Sequence, residues 1–193
     1  MIMVGKELMT NYKVFLPTAG IGSRVKGQSN NLNKCLISID NKPVISHIVE
    51  KFHPKVSFVV ALGYGGDYVK QYLEITYPER DFTFVQIDNF EGKDSGLGLT
   101  MNTCKDELQS PFIFTSVDTL VDEDIAFKYV GDNWLGVSEV DNDSSMNYCL
   151  VRGTKYLDSL YYGTGNRAYV GMAGISDYDE FWNSLENQKI VND

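Results

Sequence analysis

Apolar residues gather into short blocks along residues 12–125, separated by polar and glycine-rich stretches. Four blocks are almost continuously apolar, as is typical of strands that a parallel sheet buries on both faces. These predicted strands cover residues 12–17, 56–62, 82–87 and 112–117. Between them, apolar residues recur at helical spacing. One predicted helix begins at Pro43, which suits a first helical turn, another at Asp67, which suits a helix cap, and a third spans residues 95–108.

The alternation of strand and helix predicts an α/β protein of three layers, a Rossmann-like fold with a mixed, mainly parallel sheet. A further extended segment is predicted at 35–39. The rest of the chain is less regular and predicts short strands at 135–140, 148–152, 156–161 and 168–173, then a helix at 177–185. Ligands of such sheets bind at the carboxyl ends of the strands. Function is therefore expected at the loop after Pro17 and at Gly63, Ser95 and Asp118.

Composition narrows the functions that this fold could have. The 193 residues fit one domain with a sizeable core. The net charge of −9 argues against binding to nucleic acid or to an anionic membrane, because both reward clustered Lys and Arg. Three scattered cysteines suit a reducing compartment, and no apolar run reaches the length of a membrane span, so a cytoplasmic protein is expected. The 12 tyrosines are compatible with an interface, which leaves a homo-oligomer open.

A glycine-bearing loop after the first predicted strand is the strongest candidate for chemistry. In Gly20-Ile21-Gly22-Ser23-Arg24, the glycines let main-chain N–H groups approach phosphate oxygens, and the arginine adds a planar cation. A dinucleotide fingerprint would have a third glycine where Val25 stands, and a P-loop would continue as Gly-Lys-Ser/Thr. A second cation, Lys34, stands just before the next extended segment. Two cations that flank one glycine loop favour a polyphosphate ligand.

The run LPTAGIGSR…NKCLISIDNKPVISHIVEKF resembles the amino-terminal motif of the nucleotidyltransferases that activate sugar phosphates and phosphorylated alcohols. In that family, Gly-x-Gly-Ser/Thr-Arg follows a strand, Pro-Lys precedes the next strand, and Gly-x-Pro opens a helix. Later motifs of the family are matched in the same order. The matching positions are Gly20, Gly22, Ser23, Arg24, Lys34, Lys42-Pro43, Gly63-Tyr64, Ser95-Gly96, Ser116 and Asp118. The resemblance covers residues 12–125.

The resemblance implies the fold of the nucleotide-diphospho-sugar transferases, with one domain over 1–193, a nucleotide-binding half at 12–125 and an acceptor-binding half at 126–193. It implies that Arg24 holds the β- and γ-phosphates, that Lys34 contacts the α-phosphate, and that Asp118 binds Mg²⁺. Arg167 and Gly171 fall where the family binds its acceptor; for Arg167 a structural role is an equal alternative. The implied nucleotide-binding residues are Thr18, Ala19, Gly20, Gly22, Ser23, Gly63, Tyr64, Ser95 and Gly96.

The sequence departs from the family pattern at three places. Pro17-Thr18 replaces small residues before the loop, Asn33 replaces the proline before Lys34, and Val117 stands before Asp118. These departures leave reduced or lost activity open. The family also has a second metal carboxylate near its carboxyl end. Asp177 fits a helix cap better than this role, so the second ligand is expected beyond residue 193, in a chain that is truncated at that end.

These residues predict transfer of a nucleoside monophosphate from a nucleoside triphosphate, with CTP favoured, to a sugar phosphate or another phosphorylated small molecule. The acceptor phosphate attacks the α-phosphorus in line, and pyrophosphate leaves. Mg²⁺ is the implied cofactor. Two alternatives remain open. A nucleotide-sugar-dependent glycosyltransferase would normally show Asp-x-Asp where residues 118–120 read Asp-Thr-Leu, and a non-catalytic nucleotide-binding domain would explain the departures.

Overall fold

The fold is built on one large mixed sheet. The structure is a computed structural model that describes residues 12–22, 32–92, 95–122, 131–141 and 147–187. In chain order, the strands are β1 (Lys13–Pro17), β2 (Ser38–Ile39), β3 (Lys42–Pro43), β4 (Ser57–Leu62), β5 (Phe82–Gln86), β6 (Phe112–Thr115), β7 (Trp134–Glu139), β8 (Leu150–Gly153), β9 (Leu157–Tyr161) and β10 (Arg167–Ile175). The helices are α1 (Val44–Val49), α2 (Gly66–Thr76), α3 (Leu97–Thr103) and α4 (Tyr178–Asn187), and 3-10 turns form at Lys34–Leu36 and Lys105–Leu108.

The order of the main sheet is β5-β4-β1-β6-β10-β8-β9, and β7 pairs with β10 beside this path. The first four strands are parallel, with Lys13 of β1 opposite Ser57 of β4 and Phe112 of β6. β10 runs antiparallel to β6 and carries the antiparallel remainder of the sheet. The chain leaves β1 for β4 on one side and later returns at β6 on the other. The carboxyl ends of these three strands therefore open onto one crevice.

Helices cover both faces of the parallel strands. Val14 and Leu16 of β1 point to one face, where they join a core that includes apolar residues of α1 and α2. Phe15 points to the opposite face and joins a core with residues of α3 and Trp182 of α4. All three β1 side chains are fully buried, as expected for a strand covered on both sides. The three-layer α/β architecture is confirmed. Within the described ranges, no helix has the length and apolar character needed to cross a bilayer.

The prediction of an extended segment at 35–39 is wrong in its first half. Lys34–Leu36 form a 3-10 turn, and only Ser38–Ile39 are extended, paired antiparallel with Lys42–Pro43. The cause is the side chain of Asn33, whose Oδ1 accepts a hydrogen bond from the Cys35 N–H at 3.0 Å. A local side-chain acceptor of this kind competes with strand pairing and caps a turn.

The predicted cap of α2 is also displaced. Gly65, at φ 61° and ψ 23°, occupies the cap position, and Asp67 lies inside the first turn. Glycine adopts this left-handed conformation without the steric cost that a side chain imposes. Asp67 still favours the helix, because a carboxylate near the amino terminus complements the helix dipole.

We predict that Trp182→Ala lowers the free energy of unfolding by about 3–5 kcal/mol, measured by urea denaturation. Trp182 is 2% exposed, its ring stacks on Phe112 with centroids 5.8 Å apart, and its Nε1 donates to the Leu108 carbonyl at 3.1 Å. The neighbouring Asn183 is exposed. Asn183→Ala is the control and should shift stability by no more than about 0.5 kcal/mol. Equal effects of the two substitutions would contradict this packing of α4.

Candidate functional site

A cleft of about 690 Å³ lies at the carboxyl ends of the parallel strands. The loop after β1 forms one wall, the start of α3 forms another, and the segment after β6 forms the floor. Residues that the sequence singled out line much of it: Ala19, Gly20, Gly22, Lys34, Ser95, Gly96 and Asp118. The strand order therefore brings together side chains that are separated by up to about a hundred residues in the chain.

An ion pair spans this cleft. The Nζ of Lys34 lies 2.7 Å from Oδ2 of Asp118, and the side chains are 24% and 56% exposed. The hydroxyl of Ser116 donates to the other carboxylate oxygen. Burial opposes ionisation of Asp118, but the hydrogen bonds from Lys34 and Ser116 and the charge of Lys34 outweigh it, so the pKa of the carboxyl is lowered. Both side chains are partly exposed in the cleft.

The glycine loop meets Lys34 at Gly22. Gly22 has a φ of 62°, and a Cβ placed on it would lie 3.4 Å from Cβ of Lys34. The stem of the lysine therefore runs against the loop backbone, and its ammonium extends past the loop into the cleft. A cation and a glycine loop in this arrangement can bind the same anionic ligand. Ser23 and Arg24, which the sequence assigned to this loop, lie outside the described residues.

Thr18, Gly63 and Tyr64 lie behind the cleft lining rather than in it. A Cβ placed on Gly63 would stand 2.5 Å from the Ala19 carbonyl oxygen and 2.8 Å from its Cβ. The Tyr64 N–H donates to that same carbonyl at 2.9 Å, and the buried Thr18 hydroxyl donates to the Ala61 carbonyl at 2.6 Å. These residues join the turn after β4 to the loop after β1. The absence of a side chain at Gly63 is required by this close approach.

The start of α3 contributes Ser95 and Gly96 to the cleft. The Ser95 hydroxyl donates to the Gly92 carbonyl at 2.7 Å, and Thr100 donates to the Gly96 carbonyl at 3.0 Å. A Cβ on Gly96 would meet nothing within 4 Å. The open space beside Gly96 is accessible to a ligand, as the predicted role in nucleotide binding requires.

Gly171 supports the floor of the cleft from the adjacent strand. Its φ is 76°, and a Cβ there would stand 2.7 Å from Cβ of Ser116. Its carbonyl accepts the Ser116 N–H at 2.7 Å. The backbone of β10 is therefore pressed against the residue that donates to Asp118. The predicted acceptor role of Gly171 stays a prediction.

The sequence of the chain is similar to those of known proteins over part of its length. No family model matches the sequence. The chain is 27% identical over 140 residues to a probable glucose-1-phosphate cytidylyltransferase of Bacillus subtilis, an alignment covering 70% of this chain and 52% of that protein. It is 26% identical over 125 residues to the bifunctional protein GlmU of Methanococcus vannielii, covering 64% of this chain and 28% of that protein. The chain thus spans about half or less of these curated relatives.

Solved structures share the fold. A UDP-glucose pyrophosphorylase complexed with UDP-glucose superposes with a TM-score of 0.76 at 17% identity, covering 92% of this chain and 80% of that chain. The CTP:phosphocholine cytidylyltransferase of Streptococcus pneumoniae superposes with a TM-score of 0.65 at 17% identity, covering 91% and 76%. The chain is thus similar in sequence to proteins named as sugar-phosphate nucleotidyltransferases and similar in fold to solved structures of such enzymes. This similarity confirms the family resemblance and the fold class predicted from the sequence.

Within the cleft, Asp118 is the candidate metal ligand. Mg²⁺ in such sites is held by one or two carboxylates together with phosphate oxygens and water. Asp118 presents one charged carboxylate to the cleft. Across the described ranges, no three His, Cys, Asp or Glu side chains converge as a metal cage. A single carboxylate can hold Mg²⁺ only together with phosphate oxygens and water, and the role of Asp118 as its ligand stays a prediction.

Asp177 does not join Asp118. It follows β10, whose last residue, Ile175, pairs with Phe112 at the amino end of β6. The cleft lies at the carboxyl end of β6, so Asp177 stands at the opposite end of that strand from the cleft. Its carbonyl accepts the Phe181 N–H at 3.0 Å as α4 begins, and its carboxylate accepts from Asn133 Nδ2 at 2.8 Å. This placement matches the interpretation of Asp177 as a residue of the helix start.

Arg167 lines a second cavity of about 750 Å³, which shares Leu97 and Phe114 with the lining of the cleft. Its guanidinium donates to the Gly153 carbonyl and so ties the start of β10 to β8. The structural role that the sequence left open for Arg167 is therefore present, and its wall position leaves the acceptor role as a prediction. The sequence did not predict this cavity. It lies among strands β7 to β10, and the pattern of residues along the chain does not show how these strands pair.

We predict that Gly63→Ala lowers the free energy of unfolding by about 1–3 kcal/mol, because the added methyl group would overlap main-chain atoms of Ala19. Gly20→Ala is the matched control in the same loop system, since a Cβ there would meet nothing within 4 Å. It should change stability by less than about 1 kcal/mol. Chemical denaturation of both variants tests this, and a neutral Gly63→Ala would show that the two loops do not pack as described.

Proposed function

We propose that this chain transfers a nucleoside monophosphate from a nucleoside triphosphate to a sugar phosphate or another phosphorylated small molecule, with release of pyrophosphate. The observation that carries the proposal is the Lys34–Asp118 pair, which faces a glycine loop in a cleft at the carboxyl ends of parallel strands. A cation and a carboxylate side by side suit a ligand that brings both phosphate oxygens and a divalent cation. The relatives named above support the same class of reaction.

The reaction forms a bond between an acceptor phosphate oxygen and the α-phosphorus, and it breaks the bond from that phosphorus to the oxygen that leaves with pyrophosphate. Such chemistry requires alignment and charge neutralisation more than covalent catalysis. Lys34 exchanges its carboxylate partner for an α-phosphate oxygen, and Arg24 with the glycine loop holds the β- and γ-phosphates. Asp118 would hold Mg²⁺, which neutralises phosphate charge when bound.

The two halves of the chain divide the substrates in this proposal. Residues 12–125 bind the triphosphate, and residues 126–193 bind the acceptor. The second cavity supports this division, because it lies among strands of the later half and adjoins the nucleotide cleft at Leu97 and Phe114. Arg167, on its wall, is the cation that we assign to the acceptor.

The free thiols of Cys35, Cys104 and Cys149 support a cytoplasmic location.

CTP is the proposed donor. The form of the glycine loop favours it, and one curated relative is named as a cytidylyltransferase. A structural neighbour is named for UDP-glucose instead, so the base must be tested directly. Release of pyrophosphate is therefore measured with each of the four common triphosphates and a panel of phosphorylated sugars and alcohols. Binding of a triphosphate without turnover on any acceptor would favour the non-catalytic alternative.

We predict that Lys34→Met lowers kcat/KM by about 10²- to 10³-fold in the pyrophosphate-release assay, because it removes a preorganised cation from the transferring phosphate. Lys42→Met is the matched control. Lys42 lies eight residues away and forms an exposed pair with Glu50, at 2.7 Å, on the outer surface. It should leave kcat/KM within about 2-fold of the original protein. Comparable losses in both variants would contradict the assignment of Lys34.

A further inference from the structure

We infer that Asn33 is a positioning residue for Lys34. Its side-chain amide forms hydrogen bonds with three chain segments beside the cleft and thereby fixes the position of the Lys34 ammonium. The inference rests on the proposed function, since it concerns the residue that we assign to the α-phosphate. Asn33 is the residue before that lysine, and it stands where the family pattern has proline. The structure gives it contacts that proline could not make.

Both the nitrogen and the oxygen of the Asn33 side-chain amide are hydrogen-bonded. Nδ2 donates to the Thr18 carbonyl at 2.6 Å and to the Tyr64 carbonyl at 2.7 Å, and Oδ1 accepts the Cys35 N–H at 3.0 Å. The residue is 0% exposed. Thr18 belongs to the loop after β1, Tyr64 to the turn after β4, and Cys35 to the 3-10 turn. One buried side chain therefore cross-links all three segments.

Few other side chains could replace this amide. A carboxylate at the same position has no donor for the two carbonyls, and it would place a negative charge against them. An apolar side chain would leave both carbonyls without this donor. Of the two partners, Thr18 is itself 0% exposed, whereas Tyr64 is half-buried and held to the loop after β1 by the hydrogen bond from its N–H to the Ala19 carbonyl. Loss of the amide would therefore loosen the junction as a unit.

The backbone conformation of Asn33 makes it possible to remove the side-chain hydrogen bonds without changing the local path of the chain. Its φ of −62° and ψ of 138° are values that proline also adopts. Asn33→Pro should keep the direction in which the chain enters the 3-10 turn but remove the three side-chain hydrogen bonds. Asn33→Asp keeps the size of the side chain and its acceptor for the Cys35 N–H, but it replaces the donors with a negative charge. The two variants thus remove the same cross-link by different routes.

Lys34 depends on this junction because it begins the turn that Asn33 caps. The Lys34 carbonyl accepts the Ile37 N–H at 3.2 Å, its stem lies against Gly22, and its Nζ reaches Asp118. These contacts fix the ammonium only while the turn is held against the loop after β1. A displacement of about 1 Å of a positioning group can cost roughly 10²-fold in rate.

The test is a double-mutant cycle in the pyrophosphate-release assay, with the 193-residue chain and the best triphosphate and acceptor. Asn33→Pro and Asn33→Asp should each lower kcat/KM by about 10- to 100-fold. In either background, the double variant should be about as active as Lys34→Met alone, so the further loss caused by Lys34→Met should shrink by about the factor that the Asn33 substitution itself costs. Asn183→Asp, which adds the same charge at an exposed site on α4, should leave the full Lys34 effect in place.

The outcome that overturns the inference is an unchanged factor for Lys34→Met in the Asn33 variants, since a merely structural residue would lower activity and stability without this coupling. If one variant does not fold, the other decides. A second readout does not need activity. In a crystal structure of Asn33→Pro, the Lys34–Asp118 distance of 2.7 Å should open beyond about 4 Å; an intact pair would overturn the inference. If the unmodified chain releases no pyrophosphate, the proposed function fails, and this distance still tests Asn33.

Discussion

Parallel pairing of β1 with both β4 and β6 is the constraint on which the candidate site depends. Because the three strands run in the same direction, the segments that follow them must all emerge at one edge of the sheet. This common direction brings the glycine loop, the Gly63 turn and Asp118 to the same edge. The antiparallel strand β10 pairs with the other side of β6, and its Gly171 packs against Ser116 at this edge.

Among the described residues, the two charged side chains that line the cleft are paired with each other. The chain carries a net charge of −9, yet the cleft pairs Lys34 with Asp118 at short range. An anionic ligand must therefore replace a carboxylate as the partner of the lysine, and a divalent cation can replace the lysine as the partner of the carboxylate. Such an exchange favours a ligand that carries both phosphate and metal over phosphate alone. In the absence of a ligand, burial opposes ionisation of Asp118, but the hydrogen bonds from Lys34 and Ser116 and the charge of Lys34 outweigh it and lower the pKa of the Asp118 carboxyl.

Much of the fold could be predicted, because the four parallel strands are short apolar runs, three of them buried on both faces, and because the order of motifs matched a known family. The local structure around Lys34 could not be predicted, since Cys35-Leu36-Ile37 has the pattern of a strand and the turn depends on the Asn33 amide, whose two carbonyl partners come from distant loops. Sequence reasoning assigned Gly63 to nucleotide binding, which stays a prediction, but it did not show that the close approach to Ala19 requires glycine there. Both cases depend on contacts between segments that a local pattern does not contain.

A crystal structure of the chain with Mg²⁺ and a non-hydrolysable CTP analogue tests the central claim most directly. We expect the triphosphate to lie along the glycine loop, with the Lys34 ammonium on a phosphate oxygen and the metal between Asp118 and the phosphates. The 2.7 Å contact between Lys34 and Asp118 should then be broken. A triphosphate bound elsewhere, or bound in the cleft with that ion pair intact and no metal at Asp118, would contradict the account.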